Sequence, residues 1–222
     1  MEKREVAFLA LFTILSLAAY QLKFSTILGV PSQNFNFFQF MGPIGAGIFT
    51  PILGVVSVLF VEVLNFFISG KALDPITLVR LTPMMFAAYY FGSKSRNRVI
   101  VPLICMGLFM LHPIGRQAWY YSLYWLIPVA AALWKDKLFL RSLGATFTAH
   151  AIGSVAFLYA FGIPADVWAT LVPITAYERL SFAVGISISY IAVNSILNSI
   201  SSRVDVRVLK VDPRYVLFKE SE

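Results

Sequence analysis

The sequence predicts an all-α, polytopic integral membrane protein, a bundle of about eight transmembrane helices with both termini in the cytoplasm. Three observations carry that prediction. First, 59% of the 222 residues are hydrophobic and 13% are charged, about half the charged share of an ordinary soluble domain. Second, the apolar residues fall in long runs, at 6–22, 55–69, 81–92 and 118–134. In hydrocarbon each backbone polar group must be satisfied within its own element, so runs approaching about 20 residues read as spanning helices. A membrane barrel would instead alternate polar and apolar positions. Third, lysine and arginine gather in four separate segments, as short cytoplasmic loops require.

Taken in order, the spans fall at 5–24, 37–52, 54–70, 76–92, 98–112, 117–134, 142–161 and 179–200. The first follows the charged start Met1, Glu2, Lys3, Arg4, Glu5 and reads as a retained helix, because its apolar run has no small-residue cleavage pattern before Gln21 and Lys23. The second and third share one apolar stretch, 37–70, broken where Gly45, Gly47, Pro51 and Gly54 cluster. A re-entrant pair with six full spans satisfies the same pattern. Residues 1–200 form the transmembrane domain and 201–222 a short cytoplasmic tail, in which Val204, Val206 and Val208 alternate with charged residues at the period of a half-buried strand.

Orientation follows from the basic groups. Lys3 and Arg4; Lys94, Arg96 and Arg98; Lys135, Lys137 and Arg141; and Arg203, Arg207, Lys210, Arg214 and Lys219 are separated from one another by even numbers of spans, which places them together on the cytoplasmic side. The net charge of +7 is therefore explained by cell-membrane topology and calls for no nucleic-acid partner. The single Cys105 lies in an apolar run and reads as packing.

Polar residues at membrane depth are costly and mark function. In the orientation just derived, Arg80, His112, Arg116, Gln117, Tyr120, Trp168, Glu178 and Arg179 fall in the outer half, while Glu62, Asn65 and His150 sit deeper. Arginine can hold a carboxylate or phosphate, and aromatic rings can stack on a planar group. Together these residues predict an outward-facing pocket for a small, vitamin-like or anionic solute. The two histidines and the glutamates leave an intramembrane enzyme acting on a lipid or isoprenoid-linked substrate as the alternative. No H-E-x-x-H, G-x-S-x-G or P-loop motif is present, so the sequence assigns no catalytic residue, metal or cofactor, and energised uptake would need a gradient or a separate ATPase. A stripe of small residues, Gly42, Ala46, Thr50 and Gly54, predicts close helix packing or a docking face for a membrane partner in a larger complex.

The stretches FQFMGPIGAG (38–47) and GVVSVLFVEVLN (54–65) resemble the substrate-binding S components of energy-coupling-factor vitamin transporters. That resemblance implies a small membrane subunit that binds a micronutrient from outside and works with a membrane coupling subunit and paired ATPases.

Overall fold

A computed structural model describes residues 3–27, 30–70, 72–134 and 137–217. Helix α1 (Lys3–Gln21) leads into an antiparallel hairpin of β1 (Lys23–Ile27) and β2 (Val30–Asn36), with Lys23 opposite Asn36 and Thr26 opposite Asn34. Nine helices follow among the described residues: α2 (Phe38–Ile48), α3 (Pro51–Ile68), α4 (Pro75–Arg80), α5 (Pro83–Gly92), α6 (Ile100–Leu111), α7 (Pro113–Gln117), α8 (Leu126–Ala131), α9 (Leu138–Phe161) and α10 (Ala165–Ile200). Short 3-10 turns occupy Arg96–Val99, Trp119–Trp125 and Pro213–Tyr215. The chain is thus nearly, but not wholly, α-helical; the hairpin is a correction to the all-α expectation.

Four of these helices, α1, α3, α9 and α10, are long and apolar enough to cross a membrane. The other expected spans are subdivided, and each division has a local cause. Pro51 starts α3 behind Thr50, whose hydroxyl accepts the Leu53 amide at 3.2 Å. Pro83 ends α4 from α5, since proline cannot donate to the preceding turn. At 117–134 the aromatic run Trp119, Tyr120, Tyr121, Tyr124 and Trp125 winds as a 3-10 turn before α8 begins. Conversely, α10 extends 36 residues and absorbs Pro173, reaching 14 residues upstream of the span expected at 179–200.

Small residues set the helix spacing. A methyl group added at Gly54 or Gly92 would collide with the backbone of Ala46, and one at Gly144 would meet the Tyr90 ring. Helices α2, α3 and α5 therefore meet at Ala46, and α9 lies against α5. The stripe expected to dock a partner is spent in this packing: Gly42, Ala46 and Gly54 are buried, and Thr50 alone remains exposed as the α3 cap. Around it lies one apolar core that includes Phe38, Ile44, Val58, Tyr90, Phe91 and Ile186. A second core joins Phe109, Tyr121, Trp125, Leu158 and Trp168.

One end of the bundle gathers basic groups. Arg98 is fully buried and donates to the carbonyls of Ser93 at 3.0 Å and Ala132 at 3.3 Å, tying the end of α5 to the end of α8. Arg141 stacks over Phe91 at 4.0 Å and Tyr190 at 4.8 Å. The tail closes over the same end: the Lys210 amide donates to the Ile48 carbonyl at 2.7 Å, the Asp212 amide to Asn194 Oδ1 at 2.7 Å, and Arg4 pairs with Asp205. No strand forms at Val204, Val206 and Val208; the segment turns instead, burying Val206 and Leu209 against the core.

The tail carries a pH prediction. Hydrogen bonds from Arg207 hold the Asp205 carboxyl far below the ordinary carboxylate range, and those from Arg214 lower Asp212. A carboxyl whose folded value is depressed stabilises the docked tail above its unfolded value of about 3.9 and loses that contribution as pH falls through the folded value. Limited proteolysis of the tail is expected to be constant from about pH 5 to 8 and to accelerate only below about pH 4. Acceleration already at pH 6 would contradict these ion pairs.

Candidate functional site

At the opposite end a cavity of about 540 Å³ opens among the hairpin, the last turns of α1 and α3, α4, and the facing surfaces of α9 and α10. Helical periodicity supplies its walls. Glu62, Asn65 and Ser69 recur at i, i+3 and i+7 on α3; His150, Gly153, Ser154 and Phe157 do so on α9; Trp168, Leu171, Thr175 and Glu178 line α10. The hairpin and the first turn of α2 add Lys23, Asn34, Phe35, Asn36 and Gln39 as a roof.

Two polar poles face each other through this space. The first is built on Glu62, 4% exposed, whose carboxylate accepts the Tyr20 hydroxyl at 2.8 Å; Asn65 Oδ1 accepts Gln21 at 3.4 Å. Arg80 enters the same pole from the last turn of α4. That short helix is set by Asp74, which accepts the Thr77 amide at 2.7 Å, and by Pro75 at its first position. The Thr77 hydrogen bonds lower the Asp74 carboxyl from its usual value.

The second pole is Arg179, 2% exposed and stacked against Phe182 at 4.1 Å and Phe35 of the hairpin at 4.9 Å. Its Nη2 pairs with Glu178 at 3.3 Å and its Nη1 reaches Thr146 at 3.4 Å, while Nε has no partner among the described residues. The pairing with Glu178 joins neighbours in sequence, whose directions on a helix diverge, so the guanidinium is lightly satisfied for so deep a charge. Beside it, His150 Nε2 lies 3.0 Å from Tyr121 Oη and 3.3 Å from Ser154 Oγ; Tyr121 Oη lies 2.8 Å from Thr175 Oγ1; and Trp125 Nε1 donates to His150 Nδ1 at 3.3 Å. Lys23, Arg80 and Arg179 stand against Glu62 and Glu178 around the cavity, so it combines both signs of charge with aromatic walls.

The structure brings Glu62, Asn65, Arg80, His150, Trp168, Glu178 and Arg179 to this one cavity. It leaves four expected residues outside. His112 caps α7 by accepting the Ile114 amide at 3.3 Å and packs edge-on against Tyr159. Arg116, Gln117 and Tyr120 are exposed on α7 and the turn after it, because Gly115 and Ala118 take that segment's inward face. Trp168 spends its indole N–H on the Ile163 carbonyl at 2.9 Å and so offers the cavity a ring face. The residues missed from sequence are Tyr20, Gln21, the hairpin amides, Tyr121, Ser154 and Thr175. Alternation of Asn34 and Asn36 with Phe35 and Phe37 is the strand signal that marks the roof; single hydroxyls on apolar helices give none.

Among the described residues no group of three or more His, Cys, Asp or Glu side chains could hold a metal ion. Comparison with family models, with curated proteins and with solved structures finds no match for this chain.

Proposed function

We propose that the protein is a multi-pass membrane protein that binds a small, vitamin-like or anionic solute from the outside, as a transporter or as the substrate-binding subunit of one. The observation that carries this reading is the cavity of about 540 Å³ at the end of the bundle opposite the basic groups. Such a volume is in the range of small-molecule sites. The positive-inside rule assigns the basic end, with the N-terminus and the tail, to the cytoplasm, and the cavity then faces outward. The successive stretches alternate between the two ends, which supports about eight passes. The pass made by β2 and α2 is completed by non-helical backbone, since its 11 residues of helix rise only about 16 Å against a hydrocarbon core of about 30 Å. The resemblance of 38–65 to energy-coupling-factor S components adds a membrane coupling subunit and a separate ATPase as partners.

The test is a thermal-shift screen of the full chain in lipid nanodiscs against vitamins, nucleobases, organic anions and organic cations. At least one compound is expected to raise the unfolding temperature in a concentration-dependent way, and Arg80→Ala is expected to weaken that response about tenfold or more. A panel with no response, or a response untouched by both Arg80→Ala and Arg179→Met, would remove the proposal.

A further inference from the structure

The geometry points to a fixed hydrogen-bond polarity in the cavity wall, set by Trp125, that selects a solute presenting carbonyl or carboxylate oxygens beside Arg179. This inference rests on the reading of the cavity as a solute site and specifies which chemistry it takes. It begins with an indole, which donates and cannot accept. Trp125 Nε1 donates to His150 Nδ1 at 3.3 Å, so that nitrogen carries no proton. A doubly protonated ring would set two N–H groups against each other. The neutral ring with its hydrogen on Nε2 is the one form that fits.

From there the direction propagates. With Nε2 as a donor, the hydroxyls of Tyr121 at 3.0 Å and Ser154 at 3.3 Å are its acceptors. Tyr121 must then send its own proton to Thr175 Oγ1 at 2.8 Å. Among the described residues the Thr175 hydroxyl bonds to Tyr121 alone, so its proton is left unspent, whereas the Ser154 hydroxyl bonds to both His150 and Tyr121. Both residues line the cavity, as does Arg179. Were the tautomer reversed, every arrow would turn round and this wall would offer lone pairs instead. The Glu178 carboxylate lies 3.3 Å from Arg179 Nη2 and shares that guanidinium with an oxygen ligand.

Thr175 and Arg179 therefore offer donors to the same cavity, while Tyr121, Phe157 and Trp168 supply ring faces for the body of the solute. The solute class is a planar, ring-bearing carboxylate or carbonyl compound. Trp125 and His150 act as positioning residues through the tautomer they hold.

Two measurements test this. The chain contains two histidines, so 15N-histidine-labelled protein carrying His112→Gln reports the His150 ring alone by NMR in nanodiscs. The expected spectrum has a protonated Nε2 and an unprotonated Nδ1, and Trp125→Phe is expected to mix the tautomers. A protonated Nδ1 in the parent overturns the proposal. The second measurement compares 2-naphthoate with 2-naphthamidine, which share a shape but offer only acceptors and only donors respectively. Naphthoate is expected to bind about tenfold tighter or more, and Thr175→Val to weaken naphthoate about tenfold without weakening the amidine. Equal or tighter amidine binding overturns the proposal even with the expected tautomer. Silence from both probes overturns the oxygen-acceptor class. The broader panel then separates the failures: a hit from a compound lacking acceptor oxygens leaves the solute cavity standing, and silence there removes it too.

Discussion

Arg179→Met is expected to leave the protein folded and to weaken 2-naphthoate binding by about 100-fold or more, roughly 3 kcal/mol of the kind lost when a charge-assisted hydrogen bond is removed. The two halves of that expectation have separate causes. Stability falls only in part, because losing one partner of a deep pair is costly, but the substitution also removes a buried guanidinium whose Nε has no partner among the described residues. Methionine would pack against Phe35 and Phe182 where the guanidinium now lies, and Glu178, with its side chain 20% exposed, can be solvated from the cavity. Binding suffers because Arg179 is the guanidinium that lines this part of the cavity beside Thr175. Arg179→Lys is expected to recover little, since a point charge cannot stack on a ring face while presenting a planar fork. Equilibrium titration beside thermal unfolding of the same samples checks both halves; unchanged affinity in a folded Met variant would exclude Arg179 from the site.

Gly54→Val is expected to have the opposite profile, destabilising the bundle by about 3 kcal/mol or more whatever occupies the cavity. Its added carbons would strike the Ala46 backbone, and Ala46 cannot retreat because Gly92 of α5 presses on it from another side. Backbone against backbone has no rotamer to yield. Gly107 supplies the control: a methyl group there meets nothing within 4 Å, so Gly107→Ala on α6 should be neutral or stabilise by about 0.5–1 kcal/mol through helix propensity. Thermal unfolding in one detergent checks the pair, and equal behaviour of the two variants would refute three-helix contact at Ala46.

How far such features could be read in advance depended on whether their cause was local. The apolar runs behind α1, α3, α9 and α10 are continuous, and these four emerged as long helices. Elsewhere the runs are equally apolar, yet Pro83 and the crowded aromatic residues at 119–125 divide them; hydropathy has no measure of where a helix breaks. The hairpin lay hidden because its residues at 23–36 sit between two spans and resemble an ordinary outer loop. For the site, Glu62, His150, Glu178 and Arg179 were legible because ionisable groups at depth are costly and so conspicuous. Arg116 and Gln117 share that chemistry but face away, an outcome set by which side of α7 Gly115 and Ala118 occupy. Thr175 and Ser154 could not be singled out, since a lone hydroxyl gains meaning only from the side chain opposite it.

Helix α10 has a mechanical consequence. Its 36 residues extend about 54 Å, well beyond a hydrocarbon core of about 30 Å, so in a bilayer it would lean or project past the hydrocarbon. The same rod carries Thr175 and Arg179 at the cavity and, about 22 Å further along, Asn194 and Ser195, which receive the tail amides of Asp212 and Leu217. Levers of this length magnify: a tilt of about five degrees pivoting at Arg179 sweeps Asn194 through roughly 2 Å, more than a hydrogen bond tolerates. The grip on the tail at one face is thus geometrically tied to the inclination of the helix that walls the cavity at the other.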